Sequence, residues 1–214
     1  MGLFFRSRRY CIAALLLGGV LGLSHAQTTP QRTVLVLGDS LSAEYGLARG
    51  TGWVTLLEQR LAQEKAGTRV VNASISGETT FGGRSRLTAL LAQHKPTHVI
   101  LELGGNDALR GLSLDATRAN LEWMTQQSKK AGARVLLLGM QMPPNYGADY
   151  AKRFEGLYAQ VARTEKAGLV PFFLQGVADG ADPTRYFQPD RIHPTAEAQP
   201  RMLDNVWPEL KKLL

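Results

Sequence analysis

The sequence has almost no cysteine, and its single thiol falls in an N-terminal apolar stretch. Cys11 is the only cysteine among 214 residues. If that stretch is a leader that is removed on export, the mature chain contains none. Disulfide bonds, thiolate metal sites and a cysteine nucleophile are then excluded, so packing alone must hold the fold together.

The sequence also lacks an apolar run long enough to cross a bilayer. Residues 11–23 are almost wholly apolar, but a transmembrane helix needs roughly 20 such residues. Three arginines precede this run, and Ser24-His25-Ala26 follows it as a small-x-small cleavage site. This layout predicts a signal peptide over residues 1–26 and a periplasmic or secreted mature protein. An uncleaved anchor is the alternative, and adjacent arginines leave twin-arginine export open.

Basic runs interleaved with aromatic residues are absent as well. The full chain carries 25 basic and 18 acidic residues, and loss of the three leader arginines leaves 22 against 18, a net charge of +4. The remaining basic residues are scattered along the chain. This charge favours solubility over nucleic-acid binding. With no linker, repeat or coiled-coil pattern, residues 27–214 are expected to form one domain, and the protein is expected to be a monomer with no stable membrane span.

Short apolar runs alternate with helical patterns through the rest of the chain. Continuous β-rich runs occur at five places, and apolar residues at helical spacing separate them. This alternation predicts a parallel sheet covered on both faces, an α/β fold built as a three-layer α/β/α sandwich. The expected strands are 33–37, 69–71, 98–103, 134–138 and 169–173, and the helical patterns centre on 53–61, 87–91, 115–130, 154–161 and 202–210.

Polar, glycine-rich segments follow the predicted strands. They cover residues 38–40, 72–77, 104–107 and 143–147, and a fifth polar segment, 190–193, precedes the last helix. Because ligands bind at the carboxyl ends of strands in such sheets, we expect these loops to converge on one edge.

His193 is the best candidate for a general base. It lies in Asp190-Arg191-Ile192-His193-Pro194, and an aspartate three residues earlier can fold back to accept the Nδ1 proton, leaving Nε2 free. An ordinary turn remains the alternative for this segment. Of the other histidines outside the leader, His94 ends a predicted helix and His98 begins a predicted strand.

The other parts of an acyl-transfer site stand after the first three strands. Ser40 is a candidate nucleophile that needs an adjacent base, although a helix N-cap would also explain it. Gly77 can bring its N–H close to a ligand, and Asn106 can offer a side-chain N–H to an oxyanion. Each of the two also suits a plain turn, but together with Asp190 and His193 these residues fill distinct roles of one mechanism.

Read together, these segments resemble the four sequence blocks of the SGNH (GDSL) hydrolase family. The matching segments are Gly38-Asp39-Ser40-Leu41-Ser42, Gly77 within residues 72–79, Gly104-Gly105-Asn106-Asp107, and Asp190-x-x-His193-Pro194. The resemblance extends across the mature chain and is nearest to the periplasmic acyl-CoA thioesterase I, lysophospholipase and arylesterase subfamily. No Gly-x-Ser-x-Gly elbow of the ordinary α/β-hydrolases is present in the sequence.

The resemblance implies a flavodoxin-like sheet of about five parallel strands and a hydrolase of esters and thioesters. It implies a catalytic triad of Ser40, Asp190 and His193. The Ser40 N–H, the Gly77 N–H and the Asn106 side chain would form the oxyanion hole. No metal or cofactor is implied. Two departures stand nearby: Glu44 where relatives often have glycine, which would add negative charge near the site, and Glu78 where many have aspartate.

The binding site for the acyl group is predicted from loops rather than from motifs. Thr79, Leu109, Pro144 and Tyr146 are the candidate substrate contacts, with packing against the sheet edge as the alternative. Other readings of the chain are a carbohydrate deacetylase of the same fold and a non-catalytic periplasmic binding module. A flavin-binding protein is a further reading, but Asp39 and Glu44 in the first loop would repel a cofactor phosphate.

Overall fold

A computed structural model describes residues 1–2, 32–65, 67–142 and 146–214 of the chain. The predicted signal peptide, apart from its first two residues, lies outside the described residues. Pro144, one of the predicted substrate contacts, also lies outside them. In the ranges that the structure does describe, no helix is both long and apolar enough to traverse a bilayer.

Five parallel strands form the central sheet, in the spatial order β2-β1-β3-β4-β5. The predicted α/β class and strand number are confirmed. The fifth strand is shorter than the predicted 169–173, because Pro171 has no N–H to continue the ladder after Val170. The strands are β1 (Arg32–Gly38), β2 (Thr68–Asn72), β3 (His98–Glu102), β4 (Arg134–Leu138) and β5 (Gly168–Val170).

Helices cover both faces of the sheet. The helices α1 and α6 contact each other on one side, and α4 packs between α2 and α5 on the other. This is the predicted three-layer sandwich. The helices are α1 (Trp53–Glu64), α2 (Thr80–His94), α3 (Gly105–Leu109), α4 (Leu114–Lys130), α5 (Ala148–Glu165) and α6 (Gln199–Leu213).

The strands β1 and β3 lie at the centre of the core. Val34, Leu35, Val36 and Leu37 have no exposed surface, and all of β3 is buried. Strands covered on both faces carry mostly apolar side chains, which explains why β1 and β3 appear in the sequence as nearly continuous apolar runs. The edge strand β2 is less apolar and only partly buried.

The centre of the sheet also sets the position of the site. The chain leaves β1 towards β2 on one side, whereas β3 lies on the other side of β1 and the later strands continue in that direction. Neighbouring connections that run in opposite directions leave a crevice at the carboxyl ends of β1 and β3. The loops that carry Ser40 and Asn106 begin at this point.

Candidate active site

Ser40 lies in the tight turn that directly follows β1. The Ser42 N–H and the Ala43 N–H both donate to the Asp39 carbonyl oxygen, at 3.2 and 3.0 Å, and so fold the turn back on itself. The Ser40 Oγ lies 2.9 Å from the Nε2 of His193, although 153 residues separate the two along the chain. The hydroxyl group and the imidazole predicted to act together are therefore within hydrogen-bonding distance.

His193 is oriented by Asp190 within one turn. The Asp190 Oδ2 lies 2.7 Å from the imidazole Nδ1, and Oδ1 accepts the N–H groups of His193 at 3.0 Å and of Ile192 at 2.9 Å. Arg191 allows this geometry by adopting a left-handed conformation, with φ of 57°. The hydrogen bonds from the backbone N–H groups of His193 and Ile192 lower the pKa of Asp190 to about 2. A carboxylate at Nδ1 fixes the tautomer that leaves Nε2 able to accept a proton.

The segment bearing His193 is fastened to the turn bearing Ser40. The side-chain amide of Gln188 donates to the carbonyl oxygens of Tyr45 at 2.9 Å and Pro194 at 3.2 Å. The ring of Tyr45 also packs on the imidazole, with 4.2 Å between centroids. The sequence reasoning missed both Gln188 and Tyr45, because neither belongs to a motif. Only the strand order brings their segments together.

Gly77 follows β2 in a left-handed conformation with φ of 77°, which favours glycine over residues that carry a Cβ atom. The Ile75 N–H donates to the Gly38 carbonyl oxygen at 3.1 Å, which ties this loop to the end of β1. The guanidinium of Arg110 donates to the Gly77 carbonyl oxygen at 2.8 Å. Within the described part of the chain, the Gly77 N–H donates to no backbone carbonyl group.

Asn106 lies in the first turn of the short helix α3, which follows β3. Its side-chain Nδ2 donates to Asp39 Oδ2 at 2.9 Å. An amide nitrogen has two hydrogens, so a second N–H remains for another acceptor. The Asp39 Oδ1 accepts the Leu41 N–H at 3.0 Å. Asp39 therefore connects the Ser40 turn to the Asn106 loop. Burial raises the pKa of Asp39 to about 6.

The predicted acyl contacts divide into three groups. Thr79 caps α2, since its hydroxyl accepts the Gly82 N–H at 3.4 Å. Leu109 and Tyr146 are exposed at the carboxyl edge of the sheet, and Pro144 lies outside the described residues. Other large apolar side chains are exposed in neighbouring segments, and the most exposed of them is Phe81 at the start of α2, at 72%. The set, which we call the apolar rim, comprises Tyr45, Ile75, Phe81, Leu109, Leu112, Tyr146 and Ile192.

Glu44 is bound by the beginning of α1. Its carboxylate accepts the N–H groups of Gly50 at 2.9 Å and Gly52 at 2.8 Å and the hydroxyl of Thr55 at 3.0 Å. Partial burial opposes ionisation, but these donors outweigh it and lower the pKa of Glu44. The negative charge expected near the site is therefore compensated by the N-terminus of α1.

Glu78 is likewise held by protein groups. Its side chain is nearly buried and pairs with the guanidinium of Arg86. Arg86 also donates to the Ala73 carbonyl oxygen at 2.9 Å. Both departures from the family pattern thus have structural partners.

The other two histidines that the structure describes, His94 and His98, lie away from this cluster. His98 is buried at the start of β3, where its Nε2 lies 2.9 Å from the Leu213 carbonyl oxygen at the end of α6. Burial lowers its pKa. His94 ends α2, as the sequence indicated. Among the described residues, no group of three or more His, Asp or Glu side chains is arranged to hold a metal ion.

Comparison with known proteins identifies the family. Residues 36–200 match the GDSL-like Lipase/Acylhydrolase family. The chain belongs to this family. The thioesterase 1/protease 1/lysophospholipase L1 of Escherichia coli is 41% identical over 182 residues, which cover 85% of each chain. Esterase TesA of Pseudomonas aeruginosa is 53% identical over 202 residues, covering 94% of this chain and 99% of TesA.

Solved structures of the family agree with the fold. A crystal structure of TesA matches with a TM-score of 0.82 and 54% identity, covering 86% of this chain and all of that one. A psychrotrophic esterase EstA from Pseudoalteromonas sp., inhibited by monoethylphosphonate, matches with a TM-score of 0.78 and 41% identity, covering 85% and 97%. The predicted SGNH hydrolase fold is confirmed. The predicted enzyme class, a hydrolase of ester and thioester bonds, is confirmed as well.

Proposed function

We propose that this enzyme is an exported serine hydrolase in which Ser40 is the nucleophile, His193 the general base and Asp190 the residue that orients the base. The observation that carries the proposal is the hydrogen-bonded series from Asp190 Oδ2 through both imidazole nitrogens to Ser40 Oγ, at 2.7 and 2.9 Å. Serine is a weak nucleophile unless a base takes its proton, and this series provides one.

In the acylation step, Ser40 Oγ attacks the carbonyl carbon of the substrate while its proton moves to His193 Nε2. The carboxylate of Asp190 stabilises the resulting imidazolium. The C–O or C–S bond to the leaving group then breaks, and the imidazolium returns the proton to the departing alcohol or thiol. The products are the free leaving group and an acyl ester on Ser40.

The negative oxygen of the tetrahedral intermediate requires donors already in place. We assign this role to the backbone N–H groups of Ser40 and Gly77 and to the second Nδ2 hydrogen of Asn106. Asp39 supports the assignment, because it takes one hydrogen of the Asn106 amide and thereby fixes the direction of the other. A water molecule, deprotonated by His193, then attacks the acyl enzyme and releases the acid.

The apolar rim favours substrates with an alkyl or aryl portion. Its seven side chains come from loops and helix ends near the carboxyl edge of the sheet, and exposed apolar surface of this kind marks a binding region. Carboxylic esters and acyl thioesters, including aryl esters, acyl-CoA and lysophospholipids, all present such a portion. We propose Leu109 and Tyr146 as contacts for it. We also propose that residues 1–26 direct export of the enzyme and that the enzyme is a monomer.

Labelling with a fluorophosphonate tests the nucleophile directly. The reagent phosphonylates an activated serine, so the mature wild-type protein should be labelled stoichiometrically at Ser40, and Ser40→Ala should take up no label. Ser85→Ala is the matched control, because Ser85 is an exposed serine that donates only to the Gly82 carbonyl oxygen. Mass-spectrometric detection of the label on any other serine of Ser40→Ala would refute the assignment.

A substrate panel tests the chemical class. p-Nitrophenyl esters of increasing chain length, acyl-CoA thioesters and an acetylated sugar would be compared at equal concentration. We expect kcat/KM to rise with chain length and to fall when Leu109 or Tyr146 is replaced by serine. A preference for the acetylated sugar that these substitutions leave unchanged would instead indicate a carbohydrate deacetylase.

A further inference from the structure

Glu102 is a buried carboxyl group that the mechanism above does not use. Glu102 ends β3 and is only 1% exposed, directly after the apolar residues Val99, Ile100 and Leu101. It lies beside Gly38 in the register of β1 and β3. A Cβ atom on Gly38 would lie 2.6 Å from Glu102 Oε2, so glycine leaves the room that this carboxyl group occupies. Burial of an ionisable group costs free energy unless its contacts compensate for the lost water.

The contacts of Glu102 secure the Ser40 turn. Its Oε2 accepts the Ser42 hydroxyl at 2.7 Å and the Asp39 N–H at 3.2 Å. The indole N–H of Trp53 in turn donates to Ser42 Oγ at 3.2 Å. Glu102 thus binds the chain on both sides of Ser40.

Asp39 continues this network to Asn106. One of its carboxylate oxygens accepts the Leu41 N–H at 3.0 Å and the other accepts the Asn106 amide at 2.9 Å. Both oxygens therefore act as acceptors, which is the hydrogen-bonding pattern of an ionised carboxylate. Protonation of either oxygen would replace an acceptor with a donor and disturb one of these two contacts.

The surroundings do not favour two negative charges. Asp39 is 3% exposed, and within the described ranges neither Asp39 nor Glu102 forms an ion pair with lysine or arginine. The titratable groups that face the pair are Asp107 on α3, Tyr158 on α5 and His193. Burial, followed by the charge of Asp39, raises the pKa of Glu102 well above its usual value. Two neighbouring buried carboxyl groups cannot both ionise without a large cost.

We propose that Glu102 is a positioning residue that keeps its proton at neutral pH, so that Asp39 is the one ionised carboxyl group of this pair and holds Asn106 at the oxyanion hole. The inference rests on the proposed function in one respect, the role of Asn106. Neutral Glu102 still accepts from the Asp39 N–H and the Ser42 hydroxyl through Oε2. Its uncharged state preserves the acceptor character of Asp39.

Infrared spectroscopy of the mature enzyme measures the protonation state directly. A protonated carboxyl group has a C=O stretching band distinct from the carboxylate bands. We expect this band at pH 7, with a shift when glutamate is labelled with carbon-13, and its absence from Glu102→Gln. A wild-type spectrum with no glutamic acid band at pH 7 would overturn the proposal. The measurement needs no turnover, so its failure is distinct from a failure of Ser40 labelling.

Kinetics of paired variants test the positioning role. Glutamine reproduces the shape and neutrality of protonated glutamate, so Glu102→Gln should retain kcat within about threefold. Glu102→Ala removes the acceptor of two donors, and kcat should fall by roughly tenfold or more with KM little changed. Glu155→Gln, on the surface of α5, is the matched control. A drop of more than about tenfold in kcat for a folded Glu102→Gln would overturn the proposal. If Glu102→Ala fails to fold, the glutamine variant and the infrared band still decide.

Discussion

Asp190 and Asp39 each bind a side chain of the proposed active site, but the fold surrounds them differently. Asp190 is exposed, and its three hydrogen-bond donors lie within three residues of it. Asp39 is buried and holds an amide 67 residues away. Donated hydrogen bonds lower the pKa of Asp190 to about 2, whereas burial raises that of Asp39 to about 6. Asp190 is thus charged throughout the neutral pH range, whereas Asp39 titrates just below neutral pH.

The two carboxyl groups have opposite effects on the pH dependence of stability. The folded state binds the Asp190 proton more weakly than the unfolded chain does, so Asp190 stabilises the fold above pH about 4 and loses this contribution as the pH falls towards about 2. The folded state binds the Asp39 proton more tightly. Ionisation of Asp39 therefore costs stability as the pH rises from about 4 to about 6.

Substitution of the exposed carboxylate should have the largest effect on turnover. Asn at position 190 cannot accept the Nδ1 hydrogen with a full negative charge and favours the wrong tautomer, so Asp190→Asn should lower kcat by about 10⁴. Steady-state hydrolysis of a p-nitrophenyl ester checks this value. Asp182→Asn, at an exposed aspartate that binds Thr184, is the control. Turnover near wild type in Asp190→Asn would assign the orientation of His193 to other groups, such as Tyr45.

Replacement of Asn106, the residue that Asp39 binds, tests the buried side of the proposed site. Loss of one oxyanion donor typically costs about 10² to 10³ in kcat, so we expect Asn106→Ala to fall in this range with KM little changed. Asn205→Ala is the control, because the Asn205 amide binds the carbonyl oxygens of Phe173 and Gln175 instead. An equal loss in both variants would indicate a general effect on folding.

Asp39 connects turnover to pH through Asn106. Loss of a charged acceptor costs about 1.5–3 kcal/mol, so Asp39→Asn should lower kcat by roughly 10- to 100-fold. In the wild type, the side-chain NMR signals of Asn106 should titrate with a midpoint at pH about 6 as Asp39 gains its proton on acidification. The Asn205 signals serve as the internal control. Asn106 signals that stay constant between pH 4.5 and 7.5, a window spanning about 1.5 units on each side of that midpoint, would contradict the link.

Glu44 extends the comparison to a carboxylate whose hydrogen bonds go to the start of α1 and not to the proposed catalytic groups. Removal of its hydrogen bonds to the start of α1 should lower the free energy of unfolding by about 1–2 kcal/mol, with kcat unchanged. Urea denaturation of Glu44→Ala measures this, with exposed Glu58→Ala as the control. Because the folded state lowers the pKa of Glu44, the difference between Glu44→Ala and wild type should shrink as the pH falls below 4.5. A difference that is independent of pH would exclude the charged contacts as its source.

The local contact between Asp190 and His193 and the long-range contacts of the other site residues also differed in how far the sequence could predict them. Asp190 and His193 are three residues apart, so their contact follows from local geometry and could be predicted from spacing. Ser40, Gly77 and Asn106 could be predicted by their positions after strands and by family resemblance. Their mutual distances depend on the strand order β2-β1-β3, which no local pattern specifies.

Glu102 and Gln188 illustrate what local patterns leave out. Glu102 interrupts an apolar strand, and that irregularity was the available signal for a buried network. Its partners Asp39 and Ser42 lie in the turn that follows β1, so their contacts with Glu102 could not be predicted without the register of β1 and β3. Gln188 offered no signal, because a single glutamine in a polar loop is ordinary.

The amide of Gln188 has a further consequence for how this scaffold can evolve. It connects the segment that bears His193 to the turn that bears Ser40 through protein groups alone. The alignment of these two segments therefore needs no bound molecule. Mutations in the surrounding loops can therefore alter which compounds are accepted while the bond-breaking chemistry is preserved.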